Sequence, residues 1–289
     1  MIKKSVFINY TILIADSGSS KTDWVIVKDG VLKKTVCTKG INPYFQSFEE
    51  IKDEIETSLN PQLAGIYVDA VYFYGAGCIF DKTDIVRDAI CSGMNTREVF
   101  VYSDLLAAAH SACGNDAGIA CILGTGSNSC FFDGETIVKN VPPLGFILGD
   151  EGGGTTLGRM LVSDLLKGLL PGNIVDAFFK KFNITQAEIL DRVYRQAFPN
   201  RFLATFSPFL LEHIDVPELR NIVFKNFGSF FTRNVLQYDY KKYEVNFVGS
   251  IAYHYKDILK EAAGEVNVRI GRILKNPISG LVDYYKLKK

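Results

Sequence analysis

The chain has 289 residues, of which 47% are hydrophobic and 22% charged, enough apolar material for the cores of about two domains. Its 32 basic residues are balanced by 32 acidic ones, which removes the electrostatic basis for a nucleic-acid partner. No run approaches the ~18 consecutive apolar residues of a membrane span, so composition favours a small molecule, not a membrane, as the partner.

In chain order, Lys3-Lys4 followed by Val6-Phe7-Ile8 has the look of a weak signal start. However, Asn9-Tyr10-Thr11 interrupts it and no small-residue cleavage site precedes Asp16. Residues 1–10 therefore read as a loosely held prefix. Residues 12–36 read as a three-strand meander punctuated by Gly and Asp29-Gly30. Gly40–Tyr44 is a loop, and a helix starts near Ser47 with Glu50 placed for a capping box. Val68–Tyr74 is a buried-type strand running into Gly75-Ala76-Gly77, a helix covers about 81–92, and the strand Val99–Tyr102 ends in Ser103-Asp104. Leu105–Cys113 is helical and stops at Gly114-Asn115. At Ala117 the plan restarts with a second meander. From Glu151 to about 238 the chain is mostly helical, then come a strand at Val245–Val248, a Gly249-Ser250 turn, a helix at about 251–262 and a closing helix after Asn276. A β-β-β-α-β-α unit that restarts predicts two similar α/β lobes with a cleft between them. One lobe takes residues 1–114 with 276–289, the other 115–275, and the hinge is near Gly114.

Each meander turns through a Gly/Ser/Thr hairpin: Asp16-Ser17-Gly18-Ser19-Ser20-Lys21-Thr22 in the first, Gly124-Thr125-Gly126-Ser127-Asn128 in the second. Glycine lets backbone N–H groups converge on an anion, and small hydroxyl residues add donors. Two such hairpins are suited to gripping a nucleotide's phosphates, which makes ATP the expected cofactor. Asp16, at the mouth of the first hairpin, is placed to hold Mg²⁺ through water while Ser19, Ser20 and Lys21 approach the phosphates. Neither a G-x-x-x-x-G-K-[ST] loop nor a G-x-G-x-x-G turn after a strand occurs, so P-loop and dinucleotide chemistry are not expected. Asp104, where a strand gives way to a helix, is the candidate general base for a hydroxyl attacking a γ-phosphoryl group, with Ser103 free to cap the helix instead. In Gly145–Gly154, Asp150 and Glu151 are candidate ligands for a polyhydroxylated substrate, and the Gly249-Ser250 turn could pass close to an adenine or ribose.

The six cysteines form no C-x-x-C pair and no zinc spacing. They read as buried free thiols suited to a reducing cytoplasm. His110, His213 and His254 are scattered and read as surface or packing residues.

Taken together, Asp16–Thr22, Ile41-Asn42-Pro43, Gly75-Ala76-Gly77, Ser103-Asp104, Gly124–Asn128, Gly149-Asp150-Glu151-Gly152 and Gly249-Ser250 resemble the N-acetylglucosamine kinase family. That family lies in the actin-like and sugar-kinase ATPase superfamily, in the group shared with the activators of 2-hydroxyacyl-CoA dehydratases. The resemblance implies two ribonuclease-H-like lobes, each a mixed β-sheet flanked by helices, with an interlobe cleft. It implies a magnesium-dependent transferase of carbohydrate metabolism that phosphorylates the 6-hydroxyl of an N-acetylated amino sugar, with Asp104 as base. Asn42 and Asp150 would bind the sugar, Ser20 and Thr125 would lie at the ATP phosphates, and Gly249 with Ser250 near the adenosine. Pro143-Leu144-Gly145 matches a sugar-contacting Gly-Trp-Gly-like stretch only at Gly145, which leaves glucosamine, N-acetylmuramic acid or another hexose as alternative acceptors. A sugar sensor without turnover is a further alternative, and a homodimer is compatible with the reading. A dehydratase activator would need a cysteine pair in the second lobe, and no cysteine follows Cys130.

Overall fold

The computed structural model describes residues 10–18, 20–79 and 82–287. Residues 1–9 of the predicted prefix and the candidate phosphate ligand Ser19 lie outside the described residues. The chain divides into two compact units, Met1–Asn115 with Pro277–Lys289 and Asp116–Asn276.

In the first unit, β1 (Thr11–Ser17), β2 (Lys21–Lys28) and β3 (Val31–Lys39) form the expected meander, and β4 (Ala70–Gly75) and β5 (Val99–Ser103) complete a sheet of order β3-β2-β1-β4-β5. β2 runs antiparallel to β1 and β3, while β4 and β5 run parallel to β1. The uninterrupted apolar run of β1 follows from burial on both faces. With period 2, Leu13 and Ala15 join Trp24, Phe73 and Ile90 in one core, and Ile12 and Ile14 join Tyr74, Ala107 and Leu281 in another. The first core is covered by the helices Phe48–Glu54 and Lys82–Met94, the second by Asp104–Cys113 and Ile278–Leu287. Ser47 and Glu50 make the predicted capping box. The helix Ile278–Leu287 crosses Asp104–Cys113 closely, for a Cβ at Gly280 would lie 2.3 Å from the Ser111 carbonyl oxygen.

The second unit repeats the plan. β6 (Gly118–Leu123), β7 (Ser127–Phe132), β8 (Ile137–Val141), β9 (Val245–Val248) and β10 (Ile270–Leu274) form a sheet of order β10-β9-β6-β7-β8. β7 is antiparallel to β6 and β8, and β9 and β10 run parallel. Its core is rich in phenylalanine: Phe178, Phe206, Phe209, Phe227, Phe230, Phe231 and Phe247 are all buried. β10 was not expected. It is a half-buried edge strand in which Gly271 and Arg272 mask the apolar pattern.

Candidate active site

The first unit gathers its candidate residues where β1 and β5 end and β2 begins. The hairpin tip is closed by a hydrogen bond from the Gly18 amide to the Lys21 carbonyl (3.0 Å), and Gly18, Ser20 and Lys21 are exposed. Behind the tip, Ser17 Oγ accepts from the Ile41 amide (2.9 Å) and lies 2.8 Å from Thr22 Oγ1, while Thr22 Oγ1 donates to the Lys39 carbonyl (2.9 Å). These buried hydroxyls bind the hairpin to the loop that carries Asn42. The Asn42 side-chain oxygen accepts from the Tyr44 amide (3.0 Å), and its amide nitrogen has no partner among the described residues. Gly77, at φ +80°, is required here because a Cβ would lie 2.7 Å from Asn42 Oδ1.

Asp16 feels the charge of Asp104. Asp16 is pushed up to about 7, first by burial, then by the negative charge of Asp104 and next by that of Asp23. Lys21, the cation that counters this, is tied to Asp23 (2.6 Å). Asp104 is also raised, by burial, against the opposing effect of the backbone amides of Leu105 and of Asp104 itself. Ser103 is the N-cap of the helix Asp104–Cys113, its Oγ accepting from the Leu106 amide (3.2 Å). The carboxylate of Asp104 is thus released from capping and sits in the first turn, where a helix favours negative charge. Cys78 beside it is pushed up to about 12 by burial and by Asp104, which makes it an inert thiol.

Two carboxylates in one half-buried region, with the neighbouring lysine committed elsewhere, fit a divalent cation with few protein ligands. Mg²⁺ is usually held by one or two carboxylates together with phosphate oxygens and water. Among the described residues no group of three or more His, Cys, Asp or Glu forms a dedicated metal cage.

In the second unit the second hairpin, Asp150 and the Gly249 turn come together. The Gly124 amide donates to the Gly126 carbonyl (3.0 Å), and the Ser127 amide to Asp150 Oδ1 (3.0 Å). The amides of Gly124 and Ser127 are therefore committed internally. The amides of Thr125 and Gly126 have no partner among the described residues. The carbonyls of Gly124 and Thr125 accept from the amides of Gly154 (2.8 Å) and Thr155 (2.9 Å). They therefore satisfy the first turn of the helix Gly154–Leu166, which has no side-chain cap.

The glycines explain the closeness of this packing. A Cβ at Gly126 would lie 2.7 Å from Asp150 Oδ1, and one at Gly153 would lie 2.8 Å from the Gly126 backbone. A Cβ at Gly249, whose φ is +128°, would lie 2.2 Å from the Leu123 carbonyl oxygen. A Cβ at Gly124 would meet nothing within 4 Å. Only Gly124 in that hairpin therefore keeps open space at its Cα.

Asp150 is buried in a left-handed conformation (φ +57°). Four hydrogen bonds over-determine it: its amide donates to the Pro143 carbonyl, its carbonyl accepts from the Gly153 amide and Thr156 Oγ1, and its Oδ1 accepts from Ser127. Burial raises its carboxyl, the Ser127 amide opposes this, and Glu151 adds to it. Glu151 is paired with Arg233. Gly145, at φ +72°, is exposed and opens the short helical turn Gly145–Leu148. Ser250 is exposed at the start of the helix Ser250–His254.

Asn226 and Arg233 were not anticipated. Asn226 is buried, and its side chain accepts from the Gly152 amide (2.8 Å). Its only trace in the sequence is a polar residue on an otherwise apolar helical face. Of the histidines, His110 is a buried packing residue between Tyr74 (2.8 Å) and Tyr284 (3.1 Å). Cys78, Cys121 and Cys130 are buried as expected, whereas Cys37 is exposed.

Two sheets of the same order, 3-2-1-4-5, each with its first strand turning through a small-residue hairpin, define the actin-like ATPase fold. No protein-family model matches the chain, and no curated protein matches it significantly. Among solved structures, a protein of Porphyromonas gingivalis assigned as an N-acetylglucosamine kinase is 44% identical, with 96% of this chain and 99% of that one covered and a TM-score of 0.93. The chain belongs to the N-acetylglucosamine kinase family of that superfamily. A protein of Chromobacterium violaceum with the same assignment shares the fold at 16% identity, with coverages of 95% and 98% and a TM-score of 0.73. So does component A of the (R)-2-hydroxyglutaryl-CoA dehydratase of Acidaminococcus fermentans, at 12% identity, coverages of 97% and 100% and a TM-score of 0.51.

Proposed function

We propose that the chain is an ATP-dependent sugar kinase that transfers the γ-phosphoryl group of ATP to the 6-hydroxyl of an N-acetylated amino sugar, N-acetylglucosamine first among them. The observation that supports this most is the carboxylate pair Asp16 and Asp104, the first raised by burial and by the charge of the second, with Asp104 freed from capping by Ser103. A raised carboxyl suits a base that must take a proton from an alcohol.

In this reading Asp104 accepts the proton of the sugar hydroxyl as it attacks phosphorus, and Asp16 holds Mg²⁺. The metal, when bound, offsets the charge of the phosphates. Gly18, Ser19, Ser20 and Lys21 of one hairpin and Gly124, Thr125, Gly126 and Ser127 of the other serve the phosphates, with the N–H donors in the second reduced to Thr125 and Gly126. The Gly249-Ser250 turn serves the adenosine. Asn42, whose amide nitrogen has no partner among the described residues, and Asp150, with one oxygen anchored on Ser127, bind sugar hydroxyls or the acetamido group. Gly145 and Glu151 belong to the same loop as Asp150 and contribute to the acceptor site. The partner is a small sugar rather than a nucleic acid or a membrane, the setting a reducing cytoplasm, and the assembly a homodimer.

A coupled ADP-release assay with a panel of sugars at fixed Mg-ATP tests this. N-acetylglucosamine should give the highest kcat/KM, because a site that hydrogen-bonds a substituent rejects analogues lacking it. Preference for glucosamine, N-acetylmuramic acid or a plain hexose would move the assignment to that acceptor. Sugar binding without ADP release would identify a sensor.

A further inference from the structure

Arg233 ends the helix Pro217–Arg233, 82 residues away in sequence from the acidic loop that it contacts. Its Nε donates to Glu151 Oε1 at 2.7 Å, and the Glu151 side chain is only 14% exposed. The pair lies in the wall of a cavity of about 450 Å³ whose other lining includes Pro143, Leu144, Leu148 and Asn234. On the other side of the peptide, Asp150 is held against the second hairpin through Ser127.

The segments packed on Asp150 are residues 124–127, 142–149 and 152–156, and none of them contains a charged side chain. The helix Pro217–Arg233 reaches the loop through neutral Asn226 at Gly152 and through Arg233 at Glu151. The charges at this loop are therefore Asp150, Glu151 and Arg233. Two adjacent carboxylates, one of them buried, would repel each other if nothing neutralised the second. A guanidinium is suited to the task, being permanently charged and able to hold a carboxylate in a fixed orientation.

We infer that Arg233 is a positioning residue for the acceptor site: by ion-pairing Glu151 it offsets part of the charge next to Asp150 and fixes the turn, which keeps the Asp150 carboxylate oriented to accept from a sugar hydroxyl. Arg233 does not itself touch the sugar. This inference rests on the reading of Asp150 as a sugar ligand and adds the residue that sustains it.

The test follows the Asp150 carboxyl by ¹³C NMR in the full-length chain labelled at aspartate, with the resonance assigned from Asp150→Asn. In Arg233→Gln the uncovered Glu151 charge should move the Asp150 midpoint up by about half a pH unit or more. Adding Glu151→Gln to Arg233→Gln should bring it back to the wild-type position or below, and Arg233→Lys should lie in between. In parallel, KM for N-acetylglucosamine in Arg233→Gln should rise about threefold at the acid end of the activity profile and recover as pH rises, with kcat changed less than about twofold. An unmoved Asp150 midpoint, or a loss falling on kcat equally at every pH, would overturn the inference. Absence of sugar-dependent turnover in the wild type would instead sink the kinase reading, and the NMR titration would still report on Arg233.

Discussion

The two sheets share one strand order, yet their central hairpins have been put to opposite uses. At the end of β1 the hairpin is polar and exposed at its tip, and the strand residue before it, Asp16, carries a charge that burial and Asp104 resist. At the same place in β6 stand Ile122 and Leu123, and the hairpin is sealed backbone to backbone against residues 150–155 and Gly249. One sheet thus concentrates carboxylates, whose charge the fold resists. The other concentrates glycines, which admit close packing and hold Asp150 in place. A duplicated framework need not carry duplicated function, because a single residue at a strand end decides which kind of group is presented.

Substitutions should separate these two halves. The largest effect is expected for Asp104→Asn, which removes the base but keeps size and packing. Turnover should fall by about 10²–10⁴-fold with ATP and sugar binding retained, as measured by ADP release alongside calorimetric titration. Near-normal turnover would take the role from Asp104.

Next comes Gly249→Ala. A methyl group 2.2 Å from the Leu123 carbonyl oxygen, on a backbone at φ +128°, should destabilise the second unit by about 2–4 kcal/mol. Chemical denaturation would measure this, and an unchanged midpoint would mean that the turn is far looser than described.

Asp16→Asn should act in the reverse sense on stability. The folded-state pKa of Asp16, about 7, lies above its ordinary 3.8. The stability linked to its protonated form is therefore complete below about pH 4 and lost as pH rises through 7. The asparagine variant should be more stable than wild type at pH 8, by on the order of 4 kcal/mol, and equal to it near pH 4, while Mg²⁺-dependent activity falls. Melting curves across that range decide it, and a variant less stable at pH 8 would contradict the repulsion. The smallest change is expected for Gly124→Ala, where a Cβ meets nothing within 4 Å. Its stability should stay within about 0.5 kcal/mol of wild type, while KM for ATP rises.

Much of the framework was legible because it rests on local rules. Ser47 and Glu50 announced a helix start, Ser103 offered itself as a cap beside Asp104, and the apolar runs of β1, β4 and β6 marked buried central strands. The carboxylates were legible as types at strand ends. What could not be read was the reason for the glycines. Gly126 looks like an opening for an anion, but it and Gly153 are contact points between segments whose proximity exists only in the fold. Asn226 and Arg233 serve residues 150–152 from a helix more than 70 positions away, and no local pattern encodes such a pairing. β10 escaped because an edge strand buried on few sides needs little apolar periodicity.

The most direct measurement is ³¹P and ¹³C NMR of the product formed from Mg-ATP and N-acetylglucosamine. The account predicts a phosphomonoester on C6, formed in step with ADP and lost in Asp104→Asn. Phosphate on C1, or ADP released at the same rate with and without sugar, would contradict it.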